Sequence, residues 1–243
     1  MRTVLQILGT DAEKFLADLV TNTLPEEGHL SYSALLSPQG KYLFDFFIAR
    51  RENGFWIDVD SDQAEPLAKR FFMYKLRADV TIERLGIHVT RGRTDQPDGA
   101  YIDPRDSRLG WRAYDEGEDQ ELDWDRLRVE ALIPKSGIEL IPNESYILEM
   151  GFERLNGVDF KKGCYVGQEV TARMKHKTEL RKGLARVRVS EVVPVGTEIT
   201  KDGKVIGAIY TQSESRGLAY LRFDRSEGDL RAGKAAVTLD ARS

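Results

Sequence analysis

The spacing of hydrophobic residues changes in character about three quarters of the way along the chain. The earlier part alternates between helical spacing and strand-like runs, whereas the last quarter contains only short strand-like runs, among them KGLARVRV, KVIGAIYT, GLAYLRF and AAVTLD. Asp202-Gly203, between two of these runs, is a hairpin signal. Short strands at regular spacing are typical of a small antiparallel barrel. The pattern predicts an α+β body over residues 1–179 and a C-terminal antiparallel β-barrel over 180–243.

The first helix and the first hairpin of the body have clear local signals. Thr10 and Glu13 have the spacing of a capping box, which predicts a helix that ends near Thr21-Asn22. Two apolar runs flank the Ser37-Pro38-Gln39-Gly40 turn and predict an antiparallel hairpin. Strict alternation along its second strand gives one face with Asp45 and an opposite face without a charge, which are Leu43, Asp45, Phe47 and Ala49 against Tyr42, Phe44, Phe46 and Ile48. Asp45 therefore interrupts a surface that has the composition of a buried one.

Two further helices are predicted in the body. One opens at Ser61 or Asp62 and carries Pro66 in its first turn, where proline is well tolerated. Its spacing turns three apolar side chains inward, which are Leu67, Phe71 and Phe72. The segment DWDRLRVEALIP predicts a short helix that Pro134 stops.

Charge and hydropathy exclude several classes of protein. Lys and Arg number 36 and Asp and Glu number 40, so the net charge is -4 and argues against bulk neutralisation of nucleic-acid phosphates. No run of about 20 apolar residues is present to span a bilayer, and the N-terminus has no apolar signal-peptide segment. We therefore expect a soluble cytoplasmic protein that binds neither membrane nor, directly, nucleic acid.

The chain contains one cysteine, Cys164, and three histidines far apart in sequence. One cysteine excludes an intrachain disulfide, and it excludes a four-thiolate zinc or iron–sulfur site made by this chain alone. The histidines are not paired at metal-ligand spacing, so no resident metal is expected.

Cys164 lies in the segment GVDFKKGCYVGQEVTARMKHK. A lone cysteine is most often a small buried hydrophobe, but here Lys161, Lys162 and a helix opening at Gln168-Glu169 would favour the thiolate. A thiol hydrolase would need an imidazole beside the sulfur, and His176 is twelve residues further along the chain. The basic end of the segment also admits RNA binding, although such charge runs are usually solvated helix faces.

Two carboxylates elsewhere have both a structural and a functional interpretation. Asp45 could simply accept hydrogen bonds from backbone amides at the edge of the turn. Glu130 could form a solvated pair with Arg128, two residues earlier. From the residues alone, the solvated pair is the favoured interpretation of Glu130.

Residues 162–173, KGCYVGQEVTAR, resemble the K-G-C-Y-x-G-Q-E-x-x-A-R signature of the YgfZ family, folate-binding relatives of the glycine cleavage T-protein. The resemblance extends to GTDAEKFLADLVTNTL, LLSPQGKYLFDFFI, DPRDSRLGWR and PNESYILEMGFERLNGVDF, and so covers nearly the whole chain. The short length and LGWR place it closest to the branch that contains the mitochondrial assembly factor for [4Fe-4S] proteins.

The resemblance implies a body of two intertwined subdomains and a C-terminal barrel around a tetrahydrofolate pocket. It implies maturation or repair of iron–sulfur proteins through Cys164, with iron–sulfur assembly proteins and client [4Fe-4S] enzymes as partners and only indirect effects on tRNA modification. Cys164 and Asp45 take the chemical roles. The folate-binding set that it implies is Asp45, Glu130, Lys162, Tyr165, Gly167, Gln168, Glu169 and Arg173.

Two other functions remain open from the sequence. The chain could be a tetrahydrofolate-dependent aminomethyl or one-carbon transferase, in which Asp45 would matter more than Cys164. It could also be a binding module with a vestigial folate pocket, whose basic helix docks a partner. The T-proteins tend to carry paired acidic residues where this chain has Asp45-Phe46, and EALIP replaces a glycine near Glu130.

Overall fold

The computed structural model describes the chain apart from residues 116 and 177–179. The described chain divides into two compact units, and each unit is made from two separate stretches of sequence. The first comprises Met1–Leu122 and Leu155–Gln168, and the second comprises Asp123–Arg154 and Glu169–Ser243. The predicted division at 179/180 stays a prediction, since residue 179 lies outside the described residues.

The first unit is built on two antiparallel sheets. Its elements are β1 (Arg2–Leu8), α1 (Ala12–Ala17), β2 (Leu30–Leu36), β3 (Tyr42–Arg51), β4 (Gly54–Asp60), α2 (Ser61–Lys75), β5 (Thr81–Leu85), β6 (His88–Gly92), β7 (Tyr101–Ile102), a 3₁₀ turn (Ser107–Leu109) and β8 (Trp111–Asp115). Five strands form one sheet in the order β2-β3-β4-β1-β5, and three form the other in the order β6-β8-β7. The predicted hairpin is confirmed as β2 and β3.

The two faces of the five-stranded sheet differ in chemistry because successive side chains along a strand point to opposite sides. One face packs against the helices in an apolar core that includes Phe46, Ile57 and Phe71. The opposite face carries buried charge: Phe47 of β3 stands opposite Asp58 of β4 in the register. The candidate site of this unit lies on that charged face.

The first helix is shorter than its sequence predicts. It covers Ala12–Ala17, and Asp11 takes the N-cap position without a side-chain capping bond. The Thr10 hydroxyl instead donates to Asp79 Oδ2 at 2.9 Å. The predicted capping box is wrong because a partner 69 residues away competes for the capping side chain.

The second helix is confirmed, but one of its predicted inward residues is not inward. Phe71 is fully buried, whereas Phe72 is 68% exposed. One residue further along a helix rotates the side chain by about 100°. That rotation is enough to move Phe72 off the packed face.

The described part of the second unit contains one complete helix, a second helix whose first residue, Gln168, belongs to the first unit, and a closed barrel. The elements are α3 (Trp124–Ala131), α4 (Gln168–Lys175), β9 (Lys182–Val189), β10 (Glu198–Lys201), β11 (Lys204–Ser213), β12 (Arg216–Arg222), a 3₁₀ turn (Phe223–Arg225), β13 (Leu230–Ala232) and β14 (Ala235–Arg242). The strand order β10-β11-β12-β9-β14-β13 closes through pairing of β13 with β10. Asp202 and Gly203 both have positive φ, as a type I′ hairpin turn requires, so this prediction is confirmed.

Within the described residues, no helix combines the length and the apolar character that crossing a membrane would require.

Candidate functional site

Cys164 lies in an irregular segment of the first unit that leads into α4. Its side chain is exposed, so the sulfur does not fill a hydrophobic core. An exposed thiol is accessible to a partner or a reagent. The geometry of the segment then depends on what holds its backbone on either side of the cysteine.

Lys162 holds the segment on the N-terminal side of Cys164. Its ammonium group donates to three backbone carbonyl oxygens. One belongs to Ala17, the last residue of α1, at 2.9 Å, and the others belong to Val20 and Asn22, just after the helix, at 2.5 Å and 3.2 Å. Partial burial disfavours the ammonium and lowers the pKa of Lys162 to about 8. Lys162 therefore anchors the segment to the end of α1.

Asp159 is a second anchor of this segment, and no sequence pattern indicates it. Its carboxylate accepts hydrogen bonds from the Thr23 hydroxyl at 2.5 Å and from the Lys161 amide at 2.7 Å. These bonds, the Thr23 bond first, lower the pKa of Asp159. The adjacent Gly157-Val158-Asp159 sequence gave no sign of this role because Thr23 is 136 residues away.

Gly167 holds the segment on the C-terminal side of Cys164. Its φ is +83°, a conformation that favours glycine. A Cβ atom at this position would lie 2.6 Å from the Ser37 carbonyl oxygen and 2.9 Å from Leu36 Cβ. The backbone of the motif at Gly167 is therefore packed against the β2–β3 turn. The sequence alone did not predict this contact.

Tyr165 and Gln168 also contribute to the conformation of the segment. The Tyr165 side chain is buried, and its ring lies 5.2 Å from the Lys162 ammonium nitrogen. The Gln168 side-chain amide donates to the Gly163 carbonyl oxygen at 3.4 Å, and its backbone amide donates to the Tyr165 carbonyl at 3.2 Å. These contacts connect the residues on both sides of the thiol.

Asp45 lies on β3 in the same unit and is 8% exposed. Its carboxylate accepts hydrogen bonds from the Tyr32 hydroxyl at 3.0 Å and the Tyr42 hydroxyl at 2.7 Å. Burial, with a contribution from the Asp45 charge, raises the pKa of Tyr32 well above its usual value, so this phenol stays a donor. The hydrogen-bond partners of Asp45 are thus tyrosine hydroxyl groups and not the backbone amides that the structural interpretation expected.

A β-bulge brings Tyr42 to the face of Asp45. Leu35 pairs with Phe44 and Leu36 pairs with Tyr42, so Leu43 is an extra residue on β3. An inserted residue reverses the alternation of side chains beyond it. The sequence prediction that Tyr42 and Asp45 lie on opposite faces is wrong for this reason.

A buried ionic cluster surrounds Phe47 on the same face of the sheet. Three guanidinium groups lie over the Phe47 ring, at 5.5 Å for Arg2, 4.7 Å for Arg105 and 3.9 Å for Arg112. An aromatic face attracts cations, most strongly when they are desolvated. Asp45 adds a negative charge that stabilises the Arg2 and Arg105 cations.

Two aspartates balance most of this positive charge. Asp58, which is fully buried, accepts hydrogen bonds from Arg2 Nε at 2.7 Å and from Arg112 Nη1 at 2.8 Å. Asp103 accepts two hydrogen bonds from Arg105, at 3.0 and 2.7 Å. Burial opposes ionisation of Asp103, but the Arg105 guanidinium prevails and lowers its pKa. Arg105 and Arg112 belong to the segment DPRDSRLGWR, and this motif was the available sequence signal for these two arginines.

Glu130 lies on α3 in the second unit and is half-buried. Its carboxylate accepts a hydrogen bond from Arg126 Nε at 3.0 Å, one turn earlier on the helix. Arg128, the partner expected from the sequence, instead bonds Glu139, whose side chain is fully buried, at 3.3 Å. The pairing is therefore i,i+4 rather than i,i+2, because residues two apart on a helix do not face each other.

Glu169 and Arg173 are paired with each other on α4. The Arg173 Nη2 to Glu169 Oε1 distance is 2.7 Å, and both side chains are exposed. Exposed i,i+4 pairs contribute only a few tenths of a kcal/mol to stability. Both groups are thus available for exchange with a ligand or a partner at little cost.

The predicted site residues are divided between the two units. Six of them belong to the first unit, which are Asp45, Lys162, Cys164, Tyr165, Gly167 and Gln168. Three belong to the second unit, which are Glu130, Glu169 and Arg173. Within the described residues, no group of three or more His, Cys, Asp or Glu side chains is arranged to hold a metal ion.

The fold is that of the glycine cleavage T-protein class. The chain superposes along its whole length on the aminomethyltransferase T of the glycine cleavage system from Bartonella henselae, with a TM-score of 0.77 and 14% sequence identity, and covers 83% of that chain. Residues 181–242 match the family model of the CAF17 C-terminal β-barrel domain. The predicted α+β class with its C-terminal barrel is confirmed.

Sequence similarity identifies the family more narrowly. The human mitochondrial iron–sulfur cluster assembly factor IBA57 is 30% identical over 94% of this chain and 78% of its own length. The homologue from Pyricularia oryzae is 28% identical over 98% of this chain and 69% of its own length. The chain belongs to the family of the iron–sulfur cluster assembly factor IBA57, as the motif around Cys164 predicted.

The expected cytoplasmic location is wrong. The relatives are named as mitochondrial factors, which points to the mitochondrion. The expectation relied on the absence of long apolar segments, and mitochondrial transit peptides are amphipathic and Arg-rich rather than apolar. That search therefore could not distinguish the two compartments.

Proposed function

We propose that this chain is a maturation or repair factor for iron–sulfur proteins in which Cys164 contacts the cluster, or a sulfur atom destined for it. The observation that carries the proposal is the exposed Cys164 thiol on a segment that Lys162 and Gly167 anchor on either side. Such a thiol can be offered to a second protein without rearrangement of the segment that bears it.

The cluster is cargo in this proposal, and a partner must supply ligands for it. A [4Fe-4S] cluster is held by four cysteine thiolates, and this chain has one. We therefore propose a bridged complex with an iron–sulfur assembly protein, from which client [4Fe-4S] enzymes receive the cluster. Loss of tRNA modification would be an indirect result of defective client enzymes.

Tetrahydrofolate binding at Asp45 is the second part of the proposal. A carboxylate has about four acceptor positions, and the two tyrosine hydroxyl groups occupy two of those on Asp45. The remaining positions suit N–H groups of a reduced pterin. Bound folate would supply one-carbon or redox chemistry, whereas Asp45 would orient the ring and accept its N–H hydrogen bonds.

A role of Glu130, in the second unit, in binding tetrahydrofolate is proposed separately. Its carboxylate is half-buried, and by exchanging its bond to Arg126 it could accept parallel N–H groups of a ligand. Glu130→Gln would then weaken tetrahydrofolate binding without unfolding the unit, since Gln keeps the length of the side chain. Affinity equal to that of the wild type would contradict this role.

The deciding experiment compares Cys164→Ala and Asp45→Asn in a strain that lacks the chain. The readout is the activity of a [4Fe-4S] enzyme in extracts, with Gly163→Ala as the matched control in the same segment. We expect Cys164→Ala to abolish rescue while calorimetry still shows tetrahydrofolate binding. Full rescue by Cys164→Ala would refute the role of the thiol.

The T-protein-like fold favours one alternative, a tetrahydrofolate-dependent aminomethyl or one-carbon transferase. It predicts the reverse order of effects. Asp45→Asn would abolish turnover with a lipoyl-carrier substrate, and Cys164→Ser would change it little. Assaying both variants for both activities separates the two functions.

A further inference from the structure

A large open cavity lies within the second unit. Its volume is about 1370 Å³. Among the described residues, six cationic side chains line it, which are Arg181, Lys182, Lys201, Arg222, Arg225 and Arg242. We refer to this cavity as the basic groove. Three carboxylates also line it, so the described part of the lining has a formal charge of plus three, with His176 counted as neutral.

Part of the positive charge in the basic groove is balanced locally. Arg222 pairs with Asp224 at 3.0 Å, and Lys182 lies 3.9 Å from Glu149. Arg181, Lys201 and Arg225, by contrast, form no ion pair with any carboxylate in the part of the chain that the structure describes. Their charges are therefore the ones most available to an external anion.

The lining of the basic groove also contains apolar side chains. Met174, Leu180 and Phe223 line it together with the cations, and the Arg242 guanidinium lies 4.8 Å from the Phe223 ring centroid. A binding partner that offered only charge would leave this apolar surface exposed to water. Apolar groups in the partner would gain free energy by covering it.

The size and charge pattern of the basic groove restrict its occupant. Small-ligand pockets have volumes of about 300–1,000 Å³, so this cavity suits an extended segment better than a single small molecule. Nucleic acid is disfavoured because its continuous phosphate charge would meet three carboxylates in the lining. A peptide carries its charges at separated positions and can interleave apolar side chains between them.

We propose that the basic groove binds a partner-protein segment in which acidic and apolar residues alternate. Carboxylates of that segment pair with Lys201 and Arg225, and its apolar side chains cover Phe223 and Leu180. The net charge of the whole chain is -4, so the attraction is local to the groove. This proposal does not rest on Cys164, on folate or on iron–sulfur chemistry.

The test uses fluorescence anisotropy with the full chain and three labelled probes at about 50 mM salt, where Coulomb interactions are weakly screened. The first probe is a peptide of about twelve residues with repeated Glu-Leu-Asp-Ala. The second has Gln and Asn in place of Glu and Asp, and the third is an oligothymidine of similar length. We expect the acidic peptide to bind at least about tenfold tighter than either of the others, with affinity that falls as salt rises.

Charge reversal locates the binding. Lys201→Glu combined with Arg225→Glu should weaken binding of the acidic peptide by about tenfold or more, since each reversal turns an attraction into a repulsion. Lys234→Glu, on the exposed hairpin between β13 and β14, is the matched control and should change the affinity less than about twofold.

Three results would overturn the proposal. They are equal affinity for the acidic and amide peptides, tighter binding of the oligothymidine, and the absence of binding by the acidic peptide. If the double variant fails to fold, as judged by circular dichroism, Lys201→Gln alone replaces it. The comparison of the three probes on the wild-type chain decides the charge preference in either case.

Discussion

Gly167→Ala is the sharpest test of how the Cys164 segment is held. Gly167 has a φ of +83°, and its missing Cβ faces the β2–β3 turn. Gly163, four residues earlier in the same motif, has no atom within 4 Å of the position that a Cβ would take. The same substitution should therefore destabilise the chain at Gly167 and leave its stability nearly unchanged at Gly163.

The magnitude follows from two terms. A residue with a Cβ in the left-handed region costs about 1–2 kcal/mol relative to glycine. The added Cβ of Gly167→Ala would also lie 2.6 Å from the Ser37 carbonyl oxygen, closer than real contacts allow, and relief of such overpacking typically costs about 1–3 kcal/mol. The loss in unfolding free energy is then about 2–5 kcal/mol, a large part of the stability of an ordinary domain.

Urea denaturation of the wild type and both variants measures this difference directly. We expect a clear fall in midpoint for Gly167→Ala. For Gly163→Ala we expect a change of about 0.5 kcal/mol or less. Equal destabilisation by the two variants would refute the reasoning, because the difference between the positions depends entirely on the close approach of Gly167 to the turn.

Three further predictions concern stability. Asp58→Asn should lower the unfolding free energy measured in urea by about 3–5 kcal/mol, since it leaves the buried Arg112 and the partly buried Arg2 without their shared carboxylate. A loss below about 1 kcal/mol would show that the cluster does not depend on Asp58. Burial lowers the pKa of Lys162 from 10.5 to about 8, so the unfolded chain binds more protons between these values. The unfolding free energy of the wild type should therefore rise with pH across that window relative to that of Lys162→Met. If the two plots of unfolding free energy against pH are parallel, the lowered pKa of Lys162 is contradicted. Phe71→Ala should lower the unfolding free energy by about 3–5 kcal/mol and Phe72→Ala by about 0.5 kcal/mol or less, because only Phe71 is buried. Similar urea midpoints for the two variants would contradict this difference in packing.

Features that depend on neighbouring residues could be predicted from the sequence. Asp202-Gly203 specified its hairpin because two residues with positive φ suit a type I′ turn. The alternation of polar and apolar residues also placed Asp45 on a buried surface. The thiol motif, the barrel and the family were recognised for the same reason, since each has a contiguous sequence signature.

Features that depend on distant residues could not be predicted. Thr10 bonds Asp79 rather than capping its own helix, and the extra residue Leu43 moves Tyr42 to the face of Asp45. The ionic cluster joins Arg2 and Asp58 with two arginines from a later loop and strand. Such pairings depend on the register of strands that are far apart in sequence, which periodicity does not encode.

In the proposed bridged complex, the anchors on both sides of Cys164 would reduce the entropy cost of binding a partner. Ordering one backbone residue costs about 1–2 kcal/mol, so a mobile segment around the thiol would weaken any bridged complex by several kcal/mol. Lys162 and Gly167 hold that segment before a partner arrives. A substitution at either anchor should therefore weaken partner binding while leaving the thiol at least as reactive toward a small reagent. The opposite result, slower reaction with the small reagent and unchanged partner affinity, would mean that the anchors act on the sulfur itself.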